Sequence, residues 1–371
     1  MNALLLLVLA QTATPLAKNV VLIVSDGVRA REIFEGADRS LMGEAGGVEN
    51  EAGCVEKFWR ADARARRETL MPFFWKKVAR EGQVFGDGSR GSPMRVTNKA
   101  RVSYPGYNEL FTGAADHRIE TNAWVDNPNV TVFEWLNAKP AFSGKVSAFA
   151  TWATFARIFA VGRSKLEVHA GWTPPFEHDA ERTPGKDLID TLHRSTTPLF
   201  GGNALDALTY AALKESLKTK RPRVVFLGLG ETDEWMHAGR YDLALEALSR
   251  ADATIADLWD TMQAMPEYKD STTFIITTDH GRGGLPWEWK HHGASVLGAE
   301  DIWLGAIGPG IPPLGVRSST GLVTQSQVAS TVAHVLGEDW RASNPRAGST
   351  LPLWPLLVSG RPSLTLQRNA E

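Results

Sequence analysis

Apolar residues gather in a few short continuous runs separated by longer amphipathic stretches, and that alternation predicts most of the fold. Asn19–Ser25 (NVVLIVS), Arg223–Leu229 and Thr272–Thr278 are unbroken and rich in β-branched residues, as strands buried on both faces of a parallel sheet are. Lys145–Thr151 reads as a further strand, and Asp301–Gly310 (DIWLGAIGPG) as a last strand and turn. Between them, apolar positions return at helical spacing. Ala61–Arg80 sets Leu70, Phe73, Phe74 and Val78 on one face among basic residues; Tyr241–Met265 is a longer amphipathic helix, and Thr131–Asn137, Ala204–Lys218 and Gln325–Leu336 add others. Residues 36–56, rich in Gly, Glu and Ala without a period, read as a surface excursion. Residues 116–200 read as a cap-like elaboration, irregular toward Pro174, Pro175, Pro184 and Pro198. The whole predicts an α/β fold: a three-layer αβα sandwich around a mostly parallel sheet, with an inserted cap region.

A length of 371 residues at 43% hydrophobic suits one large domain over 18–371 rather than several small ones. A formal net charge of −2 offers no broad field for a nucleic acid polymer or an acidic membrane, so an anionic substrate must be held locally. Cys54 is the single cysteine, which excludes an internal disulfide and a thiolate metal cluster. The opening MNALLLLVLAQTATPLA has an apolar run from Ala3 to Ala10 and an A-x-A-like end near Ala13 or Ala17. Residues 1–17 therefore read as a secretory signal peptide, too short to span a bilayer; lacking a positive n-region, they read alternatively as a ragged leader to the first strand. Signal removal implies a periplasmic or secreted protein with no membrane span. Oligomeric state is not legible.

The chemistry collects where strands end. In Phe226–His237, FLGLGETDEWMH, a strand breaks at glycine and Asp233 and His237 follow four residues apart, on one face of a helix. A carboxylate and an imidazole at the carboxyl edge of a buried strand make half of a metal site, or else a solvated helix face. Asp26-Gly27 ends the first run, where an aspartate serves as a ligand or as a helix or turn cap. Thr272–Thr278 delivers Asp279 and His280, and KHHG brings His291 and His292. In Asn98–Gly113, NKARVSYPGYNELFTG, a helix begins near Ser103, tolerates Pro105 in its first turn, turns Tyr107, Leu110 and Phe111 inward and stops at Gly113. Ser103 then stands at a helix N-terminus, which suits a phosphate or an ionised nucleophile as well as a plain N-cap. Asp26, Asp233, His237, Asp279, His280 and one of His291 or His292 suffice for two adjacent zinc sites with open positions. His169, His178 and His193 lack ligand-like partners in the sequence, His334 reads as a packed or exposed residue of the closing helix, and the GLG at 228–230 is too short for a dinucleotide fingerprint.

The order VLIVSDG, SYPGYNELFTG, D-x-x-x-H at 233–237, TTDHG and HG before IGPG resembles the alkaline phosphatase superfamily, most closely its type I phosphodiesterase/nucleotide pyrophosphatase branch. The resemblance runs from about Asn19 to Gly310. It implies one zinc on Asp233, His237 and His292, the last preferred over His291 because it precedes Gly293. A second would rest on Asp26, Asp279 and His280, with Ser103 as nucleophile and ligand. Asn122, in HRIETN, falls near the asparagine that contacts a phosphate oxygen in that branch, across a two-residue gap. The implied activity is a two-metal hydrolase of small anionic phosphate esters, diesters before monoesters, through a phosphoseryl intermediate. An alkaline phosphatase-like phosphomonoesterase or phosphotransferase and a catalytically silent metal-dependent binding domain are the alternatives. Tyr107 stands where sulfatases of the superfamily need arginine, which argues against sulfate ester hydrolysis. Lys99 and Arg101 lie near Ser103, but neither is assigned as the extra cation of a monoesterase; Tyr104, Tyr107 and Trp124 are expected to wall a second ester group.

Overall fold

The runs expected to be buried strands lie side by side at the centre of an eight-stranded sheet. The structure is a computed structural model that describes residues 14–353; the expected signal peptide falls largely on residues 1–13, outside the described residues. The sheet order is Gly315–Val316, Gln83–Phe85, Leu304–Ile307, Thr272–Thr277, Asn19–Ser25, Val224–Leu229, Val146–Ala150, Glu167–Ala170. The five strands from Thr272–Thr277 to Glu167–Ala170 are parallel, and Leu304–Ile307 alone runs antiparallel to both its neighbours. Among the described residues no helix is long and apolar enough to cross a membrane.

Alternation along the central strand separates the two faces. Val20, Leu22 and Val24 pack with the Ser103–Thr112 and Val328–Val335 helices, whereas Val21 and Ile23 pack with Tyr241–Gln263 and the helices near Phe58 and Leu70. Each such side chain, fully buried, contributes roughly 1.5–3 kcal/mol of transfer free energy, so both layers are needed to cover the sheet. Register then decides where the chemistry lies. Val24 pairs with Thr277 and Ser25 with Leu229, so the residues that follow these strands leave at one level.

Four expectations are corrected. Ala61–Arg80 is not one helix: Ala63–Leu70 stops before Met71-Pro72, and a π-type turn, Phe74–Val78, follows with a wider hydrogen-bond spacing. Pro72 lacks the N–H needed to continue the ladder, while Asp252 accepts from the N–H groups of Phe73 and Phe74 and restarts the chain. Residues 36–56 include the start of a true helix, Glu51–Phe58, capped by Asn50, and they bury Leu41 and Met42. Residues 116–200 contribute, besides the expected strand at Val146–Ala150, a second strand of the central sheet, Glu167–Ala170, and an amphipathic helix, Pro184–Ser195, capped by Thr183. Asp301–Gly310 splits into Asp301–Ile302, in a separate three-stranded sheet with Met94–Arg95 and Val323–Thr324, and Leu304–Ile307 in the main one; it is not the last strand.

Candidate metal centre

Above the carboxyl ends of the central strands, three carboxylates and three imidazoles meet in two groups. In each group, Asp26, Asp279 and His280 or Asp233, His237 and His292, one ligand-type atom per residue lies within 4.8 Å of the others. The inner group is fully buried, and the outer is open, with the His237 side chain 44% exposed. His291 offers only its backbone to this loop, accepting from Gly283 N–H and donating to Glu288, so the structure brings His292, not His291, to His237.

Each ring is turned by its second nitrogen. His280 Nδ1 lies 2.9 Å from the Gly281 carbonyl, which fixes the proton there and leaves Nε2 with a lone pair. That Nε2 faces Asp26 Oδ1 at 3.6 Å, Asp279 Oδ2 at 3.5 Å and Ser103 Oγ at 3.4 Å. His292 Nδ1 likewise lies 3.1 Å from the Arg101 carbonyl, and its Nε2 points at His237 Nε2, 2.9 Å away.

The carboxylates follow the same rule, one oxygen held and one aimed inward. Asp26 Oδ2 accepts from the Tyr107 hydroxyl at 2.9 Å, Asp279 Oδ1 from Gly27 N–H at 3.0 Å, and Asp233 Oδ1 from the Arg282 guanidinium. The inward Asp26 Oδ1 and Asp279 Oδ2 are buried and have no hydrogen-bond partner among the described residues. Orphaned anionic oxygens opposite imidazole lone pairs fit a divalent cation, and the oxygen and nitrogen donor set suits zinc.

The local electrostatics carry the same signature. Burial, then the charges of Asp279 and Asp233, push Asp26 well above the ordinary carboxylate range; burial, with Asp233 beside it, lifts Asp279 to about 8. Burial also opposes ionisation of Asp233, but Arg282 and the His237 contact outweigh it and hold that carboxyl well below its ordinary value. Burial pushes His280 down to about 4, leaving the imidazole neutral. Two carboxylates that resist ionisation beside neutral imidazoles need positive charge to become a stable anionic pair.

Ser103 stands over this centre because of its helix. Ser103–Thr112 begins after the extended Val102, carries Pro105 in its first turn and ends in Gly113, left-handed at φ +80°, whose N–H closes on Glu109. Gly106 is required for the approach: a Cβ there would lie 2.5 Å from the Asp279 carbonyl oxygen. The Ser103 side chain is nearly buried and opens on His280. Asn122 lies across the same helix end, its Oδ1 accepting from Tyr104 N–H at 2.9 Å, which turns its amide NH2 away from the helix.

The expected aromatic wall is corrected. Tyr104 and Tyr107 are buried, with hydroxyls donated to Val125 and Asp26; of the three only Trp124 is exposed, beneath the Arg157 guanidinium. Arg101 is occupied too, paired with Glu300 at 3.1 Å and donating to Val296. Sequence reasoning missed Tyr107 and Arg282 as partners of the ligand-type carboxylates. Tyr107 was legible as a polar tip on an inward helix position; Arg282, three residues after Asp279, gave no pattern signal.

The profile of the type I phosphodiesterase/nucleotide pyrophosphatase family matches residues 100–325, more than half of the chain. No curated protein matches. Among solved structures, wild-type alkaline phosphatase PafA superposes with a TM-score of 0.57 at 11% identity, over 87% of this chain and 96% of that one. The phosphonate monoester hydrolase SpPMH from Silicibacter pomeroyi does so at 0.51 and 14%, over 90% and 76%. A Vibrio parahaemolyticus protein in the alkaline phosphatase superfamily gives 0.50 and 14%, over 88% and 69%. At these identities the likeness is one of fold. Together with the profile match, it means that the chain belongs to the type I phosphodiesterase/nucleotide pyrophosphatase family of alkaline phosphatase-like hydrolases.

Proposed function

We propose that this protein hydrolyses phosphate esters, diesters before monoesters, through a phosphoseryl intermediate on Ser103, with two divalent ions, zinc, held by Asp233, His237 and His292 and by Asp26, Asp279 and His280. The supporting observation is the Ser103 hydroxyl at a helix N-terminus, 3.4 Å from His280 Nε2 and beside two orphaned carboxylate oxygens. When bound, such ions supply Lewis acidity, lowering the pKa of a hydroxyl or a water and drawing charge from phosphoryl oxygens.

The chain's own residues do the rest. Ser103 Oγ, ionised, attacks phosphorus in line with the leaving oxygen; the P–O bond to the first alcohol breaks and the phosphoryl group stays on Ser103. Water then attacks the same phosphorus and the Ser103 oxygen leaves. The Asn122 amide, held outward by its bond to Tyr104 N–H, donates to a non-bridging oxygen. Occupied guanidinia support the diester preference: Arg282 spends its whole fork on protein acceptors, and Arg101 has its Nη1 drawn to Glu300 and Val296. Residues 18–371 act as one hydrolase domain.

The test compares bis(p-nitrophenyl) phosphate with p-nitrophenyl phosphate on zinc-loaded protein. kcat/KM is expected to be higher for the diester, and Asn122→Ala to lower it about 10- to 1,000-fold, as for loss of one oxyanion donor. A monoester preference overturns the diester assignment.

A further inference from the structure

Arg282 puts a guanidinium beneath the centre, on a side chain of 0% exposure. Its Nε donates to the Gly27 carbonyl at 3.0 Å, Nη1 to the Lys290 carbonyl at 2.5 Å, and Nη2 to both the carbonyl and Oδ1 of Asp233. Those acceptors belong to three separate segments. Gly27 follows Asp26, Asp233 lies in the Glu231–His237 helix, and Lys290 ends a turn two residues before His292. Space around the pair is closed as well: a Cβ on Gly27 would lie 2.4 Å from Asp233 Oδ1 and 3.0 Å from Arg282 Nε.

The three inward-facing carboxylates are therefore held by unlike donors. Asp26 and Asp279 are held by a neutral hydroxyl and a neutral N–H, and they share one imidazole. Asp233 is held by a full positive charge and stands alone with two imidazoles, one of them 44% exposed. The inner group therefore offers a cation two carboxylates and one imidazole, and the outer group one carboxylate and two imidazoles.

We infer that Arg282 is a positioning residue that fixes Asp233 to offer a single oxygen, Oδ2, and that the outer group, with one carboxylate against two and an exposed imidazole, is the weaker and exchangeable of two unequal metal sites. This rests on the proposed two-ion reading. It adds an order of loading: the inner group fills first and stays filled, while the outer group follows the free metal concentration.

The experiment is competition titration of zinc against a chromogenic chelator, on the full chain, with bound zinc counted by elemental analysis. Wild-type protein is expected to bind two equivalents with separate Kd values, and His237→Ala to lose the weaker one and keep the tighter. Arg282→Met is expected to raise the weaker Kd about 10- to 100-fold, the range for loss of a partner behind a ligand, and to leave the tighter one unchanged. Arg282→Lys keeps the charge without the fork; the same rise there supports positioning, and a wild-type Kd overturns it, also should the methionine variant fail to fold. Two equal affinities in the wild type overturn the inference alone. No zinc uptake by the wild type overturns it together with the proposed function.

Discussion

Glu109 and Asp26 are both buried carboxylates in contact with the segment around Ser103, and the fold treats them in opposite ways. Glu109 accepts from the N–H groups of Thr97 and Asn98, the Thr97 hydroxyl and the Asn98 amide, at 2.8–2.9 Å. It ties the loop that leads into the serine helix back onto that helix. Asp26 has the Tyr107 hydroxyl on one oxygen and nothing on the other among the described residues. Burial pushes both groups up from the ordinary carboxylate range, but only at Glu109 do neutral donors pull it back on both oxygens. An unpaired buried acceptor costs roughly 1–3 kcal/mol, so an oxygen left in that state beside Ser103 marks chemistry, and a saturated one marks architecture.

The widest separation of the two roles removes chemistry alone. Ser103→Ala is expected to lower kcat by a factor on the order of 10⁴ to 10⁶, the range for loss of a nucleophile. Zinc content and melting temperature should stay at wild-type values; an active alanine variant would make water the first nucleophile. The complementary change acts on architecture. Glu109→Ala leaves several buried donors unpaired and is expected to cost about 3 kcal/mol in denaturant unfolding, and a loss near zero would place Glu109 outside the structural class.

The comparison also has a pH signature. Asp279 rises from 3.8 to about 8 on folding without metal, and Asp26 rises with it, so the folded state holds more protons than the unfolded chain between those values. Stability from these groups is complete below the ordinary carboxylate pKa and is lost as pH climbs through the folded one. Because burial depresses His280 from 6.5 to about 4, that ring opposes the trend below 6.5; metal-free protein should therefore melt at falling temperature most steeply as pH rises from about 6.5 to about 8, and saturating zinc should remove much of that slope. A remainder stays, because buried Asp206, raised to about 8, and Asp252, raised to about 7, lie apart from both ligand groups and keep their protons regardless of zinc. An identical slope with and without zinc would erase the distinction between the two kinds of carboxylate.

The smallest effect has an unusual sign. Asp279→Asn keeps an oxygen for Gly27 N–H and sets an NH2 toward the His280 lone pair. Metal-free protein is expected to gain about 1–2 kcal/mol while losing its response to zinc in thermal melts. Destabilisation of the metal-free form would show that the orphaned oxygen has a structural partner.

These contrasts were only half legible in the sequence. The strands ending at Ser25, Leu229 and Thr277 are continuous apolar runs, and their register alone carries the residues that follow to one edge; the meeting of the Asp and His residues could be read from order and spacing. The short strands Gln83–Phe85 and Glu167–Ala170 have too few residues to set a period and are held by neighbours instead. Pro72 did announce the break in Ala61–Arg80, but apolar spacing continued across it and masked the signal. Arg282 and Tyr107 were out of reach for another reason: a polar group becomes a buried partner through contacts 49 and 81 positions away, to Asp233 and Asp26, and periodicity carries no such information.

Gly27 donates to a carboxylate 252 positions further along the chain, and that separation bears on how the protein comes to be. Contacts so distant in sequence form late, after the central parallel strands have found one another, and folds dominated by them are slow. In small zinc domains the ligands are neighbours and the ion organises the unfolded chain. Here each group has one local pair, Asp233 with His237 and Asp279 with His280, but its third residue is distant: His292 lies 55 positions from His237, and Asp26 follows the strand Asn19–Ser25. A metal held there would enter a nearly finished molecule: strengthening contacts that form late, it would add little to the speed of folding and much to the barrier against coming apart.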